Sequence, residues 1–224
     1  RTGDPVVSES FIVTGAAGFI GCNLVRELNR RGHTDILAVD HLSVPEKANH
    51  LALLCIRDFM DKTAFRQALL KGDVPACSTV FHLGACSSTT ETNEDYLRDN
   101  NYQYTRDLCT WCLRRGIRFI YASSAATYGD GAEGYSDAHD RIERLKPLNL
   151  YGQSKQMFDL WALREGLLDR LVGIKYFNVY GPLEDHKGDM RSMINKAYDT
   201  VMRTGELGLF RSYQPDCEDG KQDR

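Results

Sequence analysis

The chain has 224 residues, 42% of them hydrophobic and 26% charged, enough for one sizeable core and for either one domain or one plus part of another. A formal charge of −3 and the absence of any apolar run near the length of a membrane span exclude nucleic acid and membrane as main partners, and point to a soluble protein that handles small ligands. Seven cysteines, odd in number and scattered through apolar segments, predict a reducing compartment rather than a disulfide framework, and "RTGDPVVSES" at the start lacks the apolar stretch of a secretory signal.

Short apolar runs alternate with longer segments of helical spacing. This predicts an α/β fold, a Rossmann-type doubly wound parallel sheet with crossover helices. "FIVTG" reads as the first strand and residues 19–31 as a helix ended by Gly32. Between them Gly15, Gly18 and Gly21 form G-x-x-G-x-x-G, which permits a tight turn and brings a pyrophosphate against the helix N-terminus. "DILAVD" is a second strand ending on Asp40, about 20 residues past the last glycine, where an acid meets the adenosine ribose. Asp40 favours a free 2′-hydroxyl, whereas His41, Lys47 and Lys62 suit a 2′-phosphate, so these residues leave NAD and NADP open. "TVFHLG" is a later strand, and Glu91 to Arg115 has helical spacing up to Gly116. The C-x-x-C of Cys109 and Cys112 lies inside that helix and reads as two buried cysteines; no metal is expected.

"IRFIYASS" is the next strand, and "GDGAEGYSDAHDRIERLKP" after it is expected to be a surface loop over the site. "NLYGQSKQMFDLWALREG" is a helix and "LVGIKYFNVY" a strand. Within that helix Tyr151 and Lys155 stand at i, i+4 and share a face. A phenol with a pKa of about 10 needs about 4 kcal/mol of differential stabilisation to act as a base near neutrality, which a neighbouring cation can supply. Ser124 is placed at the carboxyl edge of the sheet, where open α/β folds bind ligands; its alternative role is to cap a turn. Ser124, Tyr151 and Lys155 behind a glycine-rich first turn resemble the extended short-chain dehydrogenase/reductase superfamily, whose members usually act on nucleotide-sugars. Ala125 and Ala126 stand where its 4,6-dehydratases carry an Asp-Glu pair, and two methyl groups cannot eliminate water. Epimerisation or simple oxidoreduction is left.

Longer blocks narrow the resemblance. "GACSSTTE", "DNNYQY", "YASSAATYG", "KPLN" and "YFNVYGP" followed by "HKG" are similar to the ADP-L-glycero-D-manno-heptose 6-epimerases of bacterial lipopolysaccharide precursor synthesis. That resemblance implies a cytoplasmic isomerase that uses bound NADP, with NAD the less favoured choice. Its substrate is an ADP-heptose, oxidised at C6″ to a transient ketone and reduced again on the opposite face. Inversion needs acid/base groups on both sides of the carbon, and the family's pair falls on Tyr151 and Lys187. Cofactor contacts carry over to Phe19, Ile20, Asp40, His41, Lys47, Lys62, Leu83, Gly84, Ala85, Cys86, Ser87, Asn100, Lys155, Val179 and Lys187. Substrate contacts carry over to Ser124, Asn178, Asp189, Lys196, Phe210, Arg211 and Ser212. His41, Leu83, Asp189 and Lys196 differ from the enterobacterial pattern, which has asparagine, glutamate, serine and histidine there.

The expected organisation is an NADP-binding Rossmann domain over residues 1–178 and the beginning of a substrate-binding domain over 179–224, in a homo-oligomer such as a pentamer. Family members run on beyond the position of Arg224, so the chain is expected to be a fragment that binds cofactor weakly and turns over little substrate. A UDP-hexose 4-epimerase would share Ser124, Tyr151 and Lys155 without needing His-Lys-Gly. A non-catalytic dinucleotide sensor would need only the cradle.

Overall fold

Among the strands, five coincide with apolar runs of the sequence, and a sixth does not. The computed structural model describes residues 9–209, 211–212 and 218–219. It divides into two units, Arg1–Phe177 and Asn178–Arg224.

The first unit is a parallel sheet of β1 (Phe11–Thr14), β2 (Ile36–Asp40), β3 (Asp58–Asp61), β4 (Thr79–His82), β5 (Arg118–Ser124) and β6 (Val172–Tyr176), in the order β3-β2-β1-β4-β5-β6. Central β1 and β2 are buried at every position, as strands covered on both faces must be. Alternation along them sorts the core: Ile12, Leu37 and Val39 join Phe65, Leu108, Phe119 and Phe158 on one face. Phe11, Val13, Ile36 and Ala38 meet Val25 and Leu28 on the other.

The helices are α1 (Phe19–Arg30), α2 (Pro45–Ala52), α3 (Lys62–Lys71), α4 (Glu94–Leu97), α5 (Tyr104–Arg114) and α6 (Leu150–Arg164). Among the described residues, none is long and apolar enough to cross a membrane.

Three departures from the sequence reading have local causes. β3 is an edge strand with only Phe59 and Met60 to bury, too short a run to show as a period, and it leads into α3, capped by the Asp61 carboxylate on Thr63 N–H. The strand expected to reach Tyr180 stops at Tyr176, because Tyr176 pairs with Ser124, the last residue of β5, and beyond it no neighbouring backbone remains. The long helix expected from Glu91 is broken by a π-helical segment, Arg98–Gln103, joining α4 to α5. The second unit holds a short helical turn, Asp185–Met190, and α7 (Met193–Thr204).

The strand order reverses between β1 and β4. Gly15, Asp40, Leu83 and Ser124 all lie at or just past the carboxyl ends of their strands, around that crevice.

Candidate active site

The turn after β1 is built from backbone. Gly15 has φ 72°, and a Cβ there would stand 2.8 Å from the Gly84 nitrogen, so neither its conformation nor its neighbour admits a side chain. A Cβ on Gly21 would overlap the Gly15 carbonyl, which fixes how closely α1 follows the turn. Gly18 precedes α1 and contributes no side-chain cap, so the turn into the helix is built of backbone alone. Phe19 is buried and Ile20 half-buried at the start of α1. A pyrophosphate fits this cradle, whose donors are backbone and whose walls are glycine.

Asp40, 7% exposed, is engaged on both oxygens. Oδ2 accepts from Ala17 N–H at 2.8 Å; Oδ1 accepts from His41 N–H at 2.7 Å and from Lys47 Nζ at 2.9 Å. His41 is exposed, with its ring 3.3 Å from Asp61. Lys62, at the start of α3, donates to Asn100 Oδ1 at 3.0 Å.

Past β4, residues Leu83 to Ser87 cross the crevice, and Gly84 N–H donates to Thr14 Oγ1 at 3.1 Å. Thr14 Oγ1 also stands 2.7 Å from His82 Nδ1, the nitrogen that accepts the Thr14 proton when a neutral ring carries its own on Nε2. Thr105 gives its proton to Asn101 O at 2.6 Å and receives one from His82 Nε2 at 2.9 Å. The network thus assigns His82 as the neutral Nε2–H tautomer. Burial first, then the Lys155 charge, push its pKa down to about 3. Within the π-helical segment both Asn100 and Asn101 are buried. Asn101 accepts from Cys86 N–H at 2.8 Å and donates to Cys86 O and Ser154 Oγ, tying the crevice loop to α6.

At the end of β5, Ser124 Oγ caps the following turn by accepting from Ala126 N–H at 3.1 Å, and the same hydroxyl is near enough to the Tyr151 phenol to favour its ionised form. Capping and site roles thus coincide in one hydroxyl. Lys155 is 5% exposed and donates to Ala122 O at 3.0 Å; burial lowers its pKa to about 8, against the opposing pull of Asp159 and Cys86. The expectation that a neighbouring cation lowers the tyrosine is not met: burial raises Tyr151, the nearby Ser124 hydroxyl opposes that, and Cys86 adds to the rise. One of the three Lys155 ammonium protons is directed at strand backbone.

In the second unit, Lys187 sits in the turn that Glu184 organises. The Glu184 side chain is fully buried and accepts from Gly181 N–H, Ser192 N–H and Ser192 Oγ, while its backbone oxygen accepts from Lys187 N–H at 2.9 Å. The Lys187 charge is one of the influences that hold the Glu184 carboxyl below its ordinary range. Asp189 offers its backbone carbonyl to Lys196. Asn178 is exposed and Val179 half-buried, both past the end of β6. Arg211 is exposed, Ser212 N–H donates to Asp219, and Phe210 lies outside the described residues.

The sequence reading missed Thr14, His82, Asn101, Asp159 and Lys175. Only Asp159 carried a signal, standing one further turn along the Tyr151–Lys155 face.

Residues 11–224 match the NAD dependent epimerase/dehydratase family. The chain is 53% identical over 215 residues to the ADP-L-glycero-D-manno-heptose-6-epimerase of Nitratidesulfovibrio vulgaris, covering 96% of this chain and 67% of that one. The solved Helicobacter pylori ADP-L-glycero-D-manno-heptose-6-epimerase superposes with a TM-score of 0.76 at 27% identity, over 94% of this chain and 68% of that one. MoeE5, solved with UDP-glucose and NAD, superposes with a TM-score of 0.62 at 27% identity, over 90% and 64%. The chain spans about two thirds of the length of these relatives.

Proposed function

Since the chain belongs to the NAD dependent epimerase/dehydratase family and, within it, to the ADP-L-glycero-D-manno-heptose-6-epimerases, isomerases of ADP-heptose that use a nicotinamide dinucleotide, we propose that Ser124, Tyr151, Lys155 and Lys187 carry its chemistry and that its cofactor is NADP. The observation that carries the first part is the corner in which buried Ser124 acts on the Tyr151 phenol one helical turn from buried Lys155.

A nicotinamide dinucleotide held at the Gly15–Gly21 turn would supply reversible hydride chemistry at C6″ with no net redox change. Ser124 holds the C6″ oxygen by hydrogen bonding. Tyr151 exchanges a proton with that oxygen; its burial-raised pKa suits it to donate as the ketone is reduced. Lys155 supplies fixed positive charge behind the phenol. One phenol cannot serve both faces of an inverting carbon, and Lys187 is the second acid/base group.

The preference for NADP rests on charge. A lone carboxylate at Asp40 would repel a 2′-phosphate, but Lys47 pairs with it at 2.9 Å. His41, Lys47 and Lys62 then offer the phosphate donors. Homo-oligomerisation, to a pentamer by the family's habit, belongs to the same proposal and is read by light scattering.

The test is to supply ADP-D-glycero-heptose and NADP to the full-length protein and follow inversion at C6″. Wild type is expected to epimerise it and to leave UDP-galactose untouched, whereas Tyr151→Phe and Lys187→Met are expected to be severely impaired. Inversion at wild-type rates in both variants would sink the two-group assignment.

A further inference from the structure

We propose that Asp159 and Lys175 form a positioning pair that holds the Ser124 turn and the Lys155 ammonium in register for the reaction; this rests on the assignment of Ser124, Tyr151 and Lys155 above. Asp159 is 2% exposed on α6, one turn beyond Lys155, and Lys175 lies on β6 with its Nζ 2.8 Å from Asp159 Oδ2.

Each partner reaches toward the site by a short chain of bonds. Asp159 accepts from the Tyr121 phenol at 2.9 Å and from Ser123 Oγ at 2.8 Å, and the carbonyl between those two residues, Ala122 O, is the one that takes Lys155 Nζ. Lys175 donates to Thr127 Oγ1 at 2.7 Å, and Thr127 donates to Ser124 O at 2.8 Å. The pair thus clamps β5 on both sides of the residue that anchors Lys155, and fixes the backbone of the residue whose hydroxyl meets Tyr151. A buried ion pair that only filled space could be exchanged for apolar groups at little cost, whereas one that sets two reacting side chains could not.

The electrostatics run the same way. Burial drives Lys155 toward its neutral form, and Asp159 is the largest influence that keeps its proton on. The other ionisable groups set about it are Cys86 from the crevice loop, neutral His82 on β4, Tyr151 on the same helix, and Lys175, whose charge Asp159 already balances. Removing the Asp159 charge therefore lowers the pH at which Lys155 is lost.

The test uses the full-length protein as wild type, Asp159→Asn, Lys175→Met, Lys175→Arg, the double variant Asp159→Asn/Lys175→Met, and Thr127→Val. The Lys155 titration is followed by 13C NMR of labelled lysine in the dinucleotide-free protein, assigned with Lys155→Met. The titration midpoint is expected to move down in Asp159→Asn and in the double variant, and the alkaline limb of kcat to move with it. Lys175→Met and Thr127→Val are expected to lose kcat, by up to about 100-fold, with KM little changed, and Lys175→Arg to recover it. The neutral double variant and Thr127→Val serve where a single change leaves an unpaired buried charge and no fold. Wild-type kcat in Thr127→Val together with an unmoved Lys155 midpoint in Asp159→Asn overturns the proposal. Absence of epimerisation by wild type would instead overturn the functional reading, and the titration would still judge the pair.

Discussion

Between β1 and α1 the chain presents backbone and almost no side chain, whereas at the end of β5 it presents hydroxyls, a phenol, two lysines and a carboxylate gathered from β5, α6 and β6. The first region is contiguous in sequence, and its shape follows from glycines that admit a positive φ and close backbone approach. The second is contiguous only in space. A dinucleotide's phosphates need donors at fixed positions, which backbone supplies cheaply; a proton in transit needs groups of adjustable acidity, which only side chains supply. The two regions should therefore fail differently when altered.

The sharpest break is Gly15→Ala. It forces φ 72° on an alanine and drives a methyl group into Gly84, so it is expected to abolish measurable dinucleotide binding by fluorescence titration and to lower stability by about 1–3 kcal/mol in urea melts. Ser124→Ala should do the opposite, leaving dinucleotide affinity intact while kcat for inversion falls about 100-fold, a loss typical of one missing hydrogen-bond donor at a reacting oxygen.

Lys155 gives a pH signature. Its pKa in the fold is about 8, below the ordinary 10.5, so between those values the unfolded chain binds a proton that the fold does not. Stability attributable to Lys155 is therefore expected to rise with pH across that window, by about 3 kcal/mol, and to stay flat below it. Comparing urea midpoints of wild type and Lys155→Met from pH 7 to 10 isolates the effect; a difference independent of pH would refute the buried, depressed lysine. The smallest expected effect is at the rim of the cradle, where Lys47→Met should weaken NADP relative to NAD by about tenfold, near 1.4 kcal/mol. Equal weakening of both dinucleotides would place Lys47 in service of Asp40 alone.

Legibility in the sequence follows the same division. G-x-x-G-x-x-G and Asp40 could be read because each is a local signal attached to a strand end, and Tyr151 with Lys155 because a helix turns spacing into a shared face. His82 and Lys175 lay inside runs read only as strand, and nothing local distinguishes a strand side chain that meets a partner on another element from one that meets solvent. Asn101 was hidden for another reason. A π-helical segment shifts the helical phase, and a reading based on a 3.6-residue period cannot say which face that asparagine takes.

By itself the sequence determined the alternation of strand and helix, the turn that can hold a pyrophosphate, and the residue types available for acid/base work, because these depend on period, on glycine and on side-chain chemistry within a few residues. The tertiary structure alone decided their electrical state: that Asp40 is paired with Lys47, that His82 is a neutral tautomer, and that Lys155 is buried and balanced by Asp159. Charge and protonation are set by burial and by partners far away in the chain, and only folding brings those partners within reach.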